Sequence, residues 1–145
     1  MEKQICTFYL GEYYFGLDVL EVQEVFRCQE LTKAPLAPEE VSGLINLRGQ
    51  IITAVNLRRR FNMEPLPAGV VRMNVVVRMQ EEVVGLLVDR IGDVMEVSDE
   101  LYEPAPKNIQ ESVRELVAGV YKLKDRMLMI LDAKNVLQVN ANMAQ

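Results

Sequence analysis

An internal repeat constrains this chain more than any single motif. The run Ser42-Gly43-Leu44-Ile45-Asn46-Leu47-Arg48 matches Ala118-Gly119-Val120-Tyr121-Lys122-Leu123-Lys124 without a gap, at an offset of 76 residues from Gly43 to Gly119. The match continues through 51–56 against 127–132, so that strand, basic turn, strand and polar helix cap recur in one order. A second match sets Glu12-Tyr13-Tyr14-Phe15-Gly16-Leu17 beside Glu81-Glu82-Val83-Val84-Gly85-Leu86, offset by 69 from Gly16 to Gly85, with Val22 and Val25 meeting Ile91 and Val94. Short apolar runs at close spacing, in units too small to bury a core alone, predict two small β-barrels packed against each other. The seam between them is a natural groove for a partner. The expected class is therefore all-β with short helices.

The local signals are consistent with that architecture. Cys6, Phe8 and Leu10 alternate with polar or amphipathic residues before Gly11-Glu12, and 13–17 resumes an apolar run, which predicts a hairpin. Asp18 can cap a short turn with Glu21 three residues on, placing Val22 and Val25 on one helical face. Pro35 and Pro38 punctuate a loop. A second hairpin spans 44–47 and 50–55 and pivots on Arg48-Gly49, with Asn56 as N-cap of a helical turn ending near Phe61. Strand runs follow at 71–79, 83–88 and 91–97, then a polar connection over 101–115. The last hairpin joins 117–123 to 127–131, and Asp132 caps a helix through about Val139. Residues 140–145 have little to pack and are expected to fray.

Composition removes several classes of function. A length of 145 residues, half of them hydrophobic, suits one compact domain, 1–145. Against 21 acidic residues stand 16 lysines and arginines, and the formal charge of −5 has the wrong sign for binding nucleic acid. Arg58-Arg59-Arg60 reads as a solvated face, not a phosphate site. No run approaches the roughly 20 apolar residues of a membrane span, and the N-terminus does not open like a signal peptide, so a cytosolic address without membrane insertion is expected. Cys6 and Cys28 are too far apart for a CxxC clip, and Cys6 reads as core filler. The chain has no histidine and no GxSxG, Walker or GxGxxG motif, so neither catalysis nor a cofactor or metal is expected.

The segment Gly43-Leu44-Ile45-Asn46-Leu47-Arg48-Gly49-Gln50-Ile51-Ile52 closely resembles the G-[VI]-x-N-L-R-G-x-[IV]-[IV] signature of CheW-like domains. Segments 14–25, 84–89 and 125–132 also resemble that family, in family order and spacing, so the resemblance covers about 5–137. It implies two intertwined five-stranded Src-homology-3-like barrels with a hydrophobic groove between them. It further implies a non-enzymatic chemotaxis adaptor, recruited to membrane-bound arrays, that binds the cytoplasmic tip of a chemoreceptor (a methyl-accepting chemotaxis protein) and the regulatory domain of the histidine kinase CheA. The absence of a phosphotransfer histidine, kinase core or receiver resembles the stand-alone coupler. An adaptor of a pili, gliding or biofilm pathway, or a β-barrel sensor of a small ligand, remains open as an alternative.

By the same resemblance Val22, Glu24 and Arg48 are the receptor-facing positions, with Glu24 and Arg48 able to pair at the groove edge. Apolar residues at helical spacing are ordinarily core, and a turn beside glycine accepts almost any polar side chain, so without the family neither Val22 nor Arg48 would stand out. Segment 102–108 resembles the loop through which relatives make a second kinase contact and close mixed rings. Glu103 and Asn108 are its candidate residues. Some relatives carry arginine and an aromatic there, so the match at this loop is partial.

Overall fold

The structure is a computed structural model and describes residues 2–27, 41–67, 70–79 and 82–136. The first hairpin pairs β1 (Glu2–Leu10) with β2 (Tyr13–Asp18) through a turn in which Gly11 takes φ +58°, a conformation that suits a residue without Cβ. A 3-10 turn at Val19–Glu21 then leads into β3 (Val22–Arg27). The second hairpin is β4 (Val41–Leu47) and β5 (Gln50–Asn56), followed by the single-turn α1 (Leu57–Arg60). As expected, the Asn56 side chain caps α1 by accepting from the Arg59 amide at 3.3 Å.

The second half repeats the plan. It runs β6 (Met73–Met79), β7 (Glu82–Val88), β8 (Arg90–Ser98), the two-residue β9 (Tyr102–Glu103), α2 (Glu111–Arg114), β10 (Val117–Lys122), β11 (Met127–Leu131) and α3 (Ala133–Val136). Asp132 caps α3 through the Asn135 amide, 3.2 Å away. The expected continuation of that helix to Val139, the 140–145 tail, Cys28, Pro35 and Pro38 lie outside the described residues.

The two halves exchange strands. One sheet has the order β8-β1-β2-β11-β10-β9 and the other β3-β6-β7-β5-β4. Each half therefore gives its first hairpin to one sheet and its later strands to the other. The crossings appear as parallel pairings, β11 with β2 and β5 with β7, within otherwise antiparallel ladders. At the centre of these ladders sit the repeat-related Gly16 and Gly85. A Cβ on Gly16 would strike Ile5, and one on Gly85 would strike Asn74.

Alternation along the strands builds three cores. Phe15 and Leu17 of β2, Val84, Leu86 and Val88 of β7, and Met129 and Leu131 of β11 face a cluster between the sheets. Phe61, just after α1, closes it by stacking on Phe15 with ring centroids 5.0 Å apart. Their neighbours in register turn the other way. Tyr14 and Leu128 join Ile5, Val97 and Tyr121 inside one barrel, while Ala54, Val76 and Leu87 join Ile45 and Ile52 inside the other. The largest cluster draws on both sheets and packs the space between the units, where the sequence reading expected a groove.

Three local expectations are corrected. Residues 22–27 are a strand, so Val22 and Val25 do not share a helical face: Val22 packs on the central cluster and Val25 is 38% exposed. The turn at 19–21 ends after three residues because Val22, Val25 and Phe26 fit a pleated, half-buried surface better than a helix. The connection at 101–115 carries β9 and α2, and β9 adds a sixth short strand to one sheet. Arg58-Arg59-Arg60 is not wholly a solvated face. Arg58 forms an ion pair with Asp89 in which both side chains are largely covered, and Arg60 donates to the Asn135 carbonyl at 3.1 Å.

Candidate protein-binding edges

The hairpin that carries Arg48 is shaped by its own sequence. Arg48 and Gly49 take φ +52° and +86°, the pair of left-handed residues that a two-residue β-hairpin turn with strand-matched twist demands. The Asn46 side chain braces the turn by accepting from the Gly49 amide at 2.9 Å. From this turn the Arg48 guanidinium reaches β3 and grips Glu24 with both terminal nitrogens, at 2.9 and 2.5 Å. The Arg48 side chain stays 70% exposed and that of Glu24 25%. The hydrogen bonds and charge of Glu24 hold the guanidinium pKa above its ordinary value, so Arg48 is cationic throughout the accessible pH range. A planar donor fork held in place at the surface can dock a further acceptor with little ordering cost.

Of the three receptor-facing candidates, Glu24 and Arg48 are joined by this pair, and Val22 lies two residues before Glu24 on the same strand, partly buried against the central cluster. A bulge between Val22 and Glu24 shifts the register of β3 on β6, and Val22 packs inward. Glu103 and Asn108 are exposed on the other sheet, at β9 and in the turn that follows it. Glu103 meets Lys122 at 3.3 Å, with side chains 47% and 66% exposed, a pair worth little to stability. The two candidate sets therefore occupy different sheets.

Several exposed apolar residues escaped the sequence reading. Leu20 is 88% exposed, and Ile51, three residues after Arg48, is 59% exposed. Val25 on β3 and Val94 on β8 are 38% and 57% exposed, and each lies on an outermost strand of its sheet. The repeat had aligned these two valines, and that equivalence was the available signal. Unpaired strand edges bearing apolar side chains are surfaces on which another chain can add. Among the described residues no group of three or more His, Cys, Asp or Glu side chains is placed to hold a metal ion. Cys6 is half-buried and free, and burial, then Asp18, raises its thiol pKa, which leaves it unreactive.

The family profile of the CheW-like domain matches residues 4–141. The chain belongs to the CheW-like family. This CheW-like chain is 33% identical to the chemotaxis protein CheW of Treponema pallidum over 89% of its own length and 78% of that protein. To the chemotaxis protein CheW of Klebsiella aerogenes it is 30% identical, over 93% and 81% of the two chains. It is also similar to the crystal structure of the scaffolding protein TtCheW from Thermoanaerobacter tengcongensis, with a TM-score of 0.82, 32% identity, and coverage of 91% and 90%. The intertwined two-barrel architecture is thus that of a CheW scaffold.

Proposed function

We propose that this chain is a chemotaxis adaptor without enzymatic activity, coupling membrane-bound chemoreceptors to a CheA-type histidine kinase in the cytoplasm. Its relatives are named chemotaxis proteins and a scaffold. The observation that carries the assignment of surfaces is the bidentate Arg48–Glu24 pair, presented at 70% exposure of the arginine on one sheet, while Glu103 and Asn108 lie on the other. An adaptor must hold two partners at once. Two separate edges on one rigid body provide for that, and a shared central core keeps them in fixed relation.

In this reading the Arg48–Glu24 edge, flanked by Val25 and Ile51, receives the receptor tip, and the β9 edge with Glu103 and Asn108 contributes a kinase contact. No helix among the described residues is long and apolar enough to cross a membrane. The test is reconstitution of the chain with its receptor and kinase, measuring receptor-dependent autophosphorylation. Activation that requires this chain, and that Arg48→Ala weakens while the fold survives, supports the proposal. Equal kinase activity with and without the chain refutes it.

A further inference from the structure

The internal repeat gives the Arg48–Glu24 edge a counterpart on the other barrel. The offset of 76 residues brings Arg48-Gly49-Gln50 onto Lys124-Asp125-Arg126, and the offset of 69, which aligns Val25 with Val94, brings Glu24 onto Asp93. Each barrel thus carries a basic hairpin turn and a carboxylate on an outermost strand, β3 in one sheet and β8 in the other. The chemistry of the two edges differs. Arg48 grips Glu24, whereas among the described residues Asp93 forms no ion pair, and Arg126 goes to aromatic rings instead.

The Arg126 guanidinium carbon lies 3.8 Å from the centroid of the Tyr14 ring, and Nη1 donates to the Tyr9 hydroxyl at 2.8 Å. Arg90, the first residue of β8 and the register partner of Tyr9 on β1, sets its guanidinium carbon 4.3 Å from the Tyr9 centroid. Tyr9 and Tyr14 are themselves register partners, with centroids 4.9 Å apart. Arg126 lies 5.7 Å from the Tyr9 centroid and Arg90 4.3 Å from the same point, so the two guanidinium carbons are at most 10.0 Å apart. Backbone hydrogen bonds tie down both turns. The Asp89 amide donates to the Tyr9 carbonyl at 3.0 Å, and the Leu123 amide donates to the Arg126 carbonyl at 2.8 Å.

Two cations held this close repel each other, and no carboxylate of the chain relieves them. Among the described residues neither Arg90 nor Arg126 forms an ion pair: Asp89 is taken by Arg58, and Asp125, the chain neighbour of Arg126, makes none. Both arginines are exposed. An aromatic face steadies a guanidinium without cancelling its charge, and it leaves in-plane N–H groups free to donate. We infer that this edge docks an acidic peptide segment of a partner protein, one carboxylate to each guanidinium. Side chains on one face of an extended segment recur at about 7 Å, within the span of the two arginines, so alternate residues of the segment supply the pair. Donors already fixed by the tyrosines lower the ordering cost of that contact.

The test is titration of the full chain with a short blocked peptide whose two glutamates flank a valine, and separately with its glutamine counterpart and with inorganic phosphate, followed by NMR and calorimetry. Saturable binding of the glutamate peptide is expected on the order of 1 mM or tighter, with shifts centred on Tyr9, Tyr14, Arg90 and Arg126. That map is read on the wild type and needs no variant. Arg90→Gln and Arg126→Gln should each weaken binding about tenfold, and circular dichroism checks that both fold. Lys134→Gln, which removes a positive charge from an exposed position beyond the far end of β11, should leave the affinity unchanged. No saturation with the glutamate peptide, shifts centred elsewhere, equal binding of the glutamine peptide or of phosphate, or an equal loss in Lys134→Gln and the arginine variants overturns the inference.

Discussion

Arg48 and Glu24 belong to opposite margins of the same five-stranded sheet, Glu24 on edge strand β3 and Arg48 in the turn that ends edge strand β4, yet their side chains meet at 2.5 and 2.9 Å. In a flat sheet, margins separated by three intervening strands would lie roughly 19 Å apart, at about 4.8 Å per strand. The pair therefore marks where the sheet curls round on itself. It is both a clasp across the barrel mouth and an oriented charge at the surface.

The clasp is exposed, so its loss should be felt in binding more than in folding. Arg48→Ala is expected to leave the melting temperature within about 2 °C of the wild type, as surface substitutions do in domains of this size. Both residues would occupy the same left-handed backbone at φ +52°, so the strain cancels in the comparison. Receptor affinity should fall about tenfold, as when an interface arginine is truncated. Calorimetry and a receptor-coupled kinase assay check the two halves. An unfolded variant, or wild-type coupling, would show that the edge is misassigned.

Val22 should behave in the opposite way. It packs on the central cluster, so Val22→Ala is expected to destabilise by about 1 kcal/mol through lost burial. Denaturant melts measure that cost. Coupling measured well below the melting transition should then remain near the wild-type level, and a large loss of coupling without a loss of stability would place Val22 on the receptor surface instead.

Acid should loosen the junction that Arg58 builds. Arg58 donates to both oxygens of Asp89 at 2.8 and 2.6 Å, and the Gly11 amide donates to Asp89 at 2.7 Å, tying α1 to two turns. Burial alone would raise the Asp89 pKa. The hydrogen bonds from Arg58 and Gly11, with the charges of Arg58 and Arg90, outweigh it and hold the group below its ordinary 3.8. A depressed carboxylate stabilises the fold above its unfolded value and loses that contribution as pH falls through the folded one. The wild type should therefore lose stability below about pH 4, whereas Asp89→Asn flattens that part of the profile. At neutral pH Arg58→Ala, which strands the carboxylate, should cost about 3 kcal/mol. Urea melts across pH give both numbers.

The Gly85–Asn74 contact makes a sharper test of packing. Asn74 is buried with neither amide atom hydrogen-bonded among the described residues, and its side chain occupies the space a Cβ on Gly85 would need. Gly85→Ala alone should cost about 1–3 kcal/mol by overpacking. In an Asn74→Ala background the same change should cost much less, because the obstructing amide is gone, and a double-mutant cycle by chemical denaturation reads the difference. Equal costs in the two backgrounds would mean that something else limits position 85.

Much of this molecule is written locally. The alternation at Cys6, Phe8 and Leu10, the apolar runs at 13–17 and 127–131, the Arg48-Gly49 turn and the Asn56 and Asp132 caps depend on residues a few positions apart, and each appears where the sequence places it. The family signature around Asn46 and Gly49 is legible for the same reason, since it encodes a turn. The strand exchange is different. A strand with a given alternation can pair in either sheet without changing its own pattern, so β11 beside β2 and β5 beside β7 are decided by burial summed over the whole fold. The identity of 22–27 depended on the same sum, because a short run with apolar residues at 22, 25 and 26 satisfies a helical face or a pleated edge, and only pairing with β6 distinguishes them. So did the fate of Arg48: its turn is local, but its partner lies 24 residues back along the chain and across a sheet, and only closure of the barrel brings that carboxylate within reach.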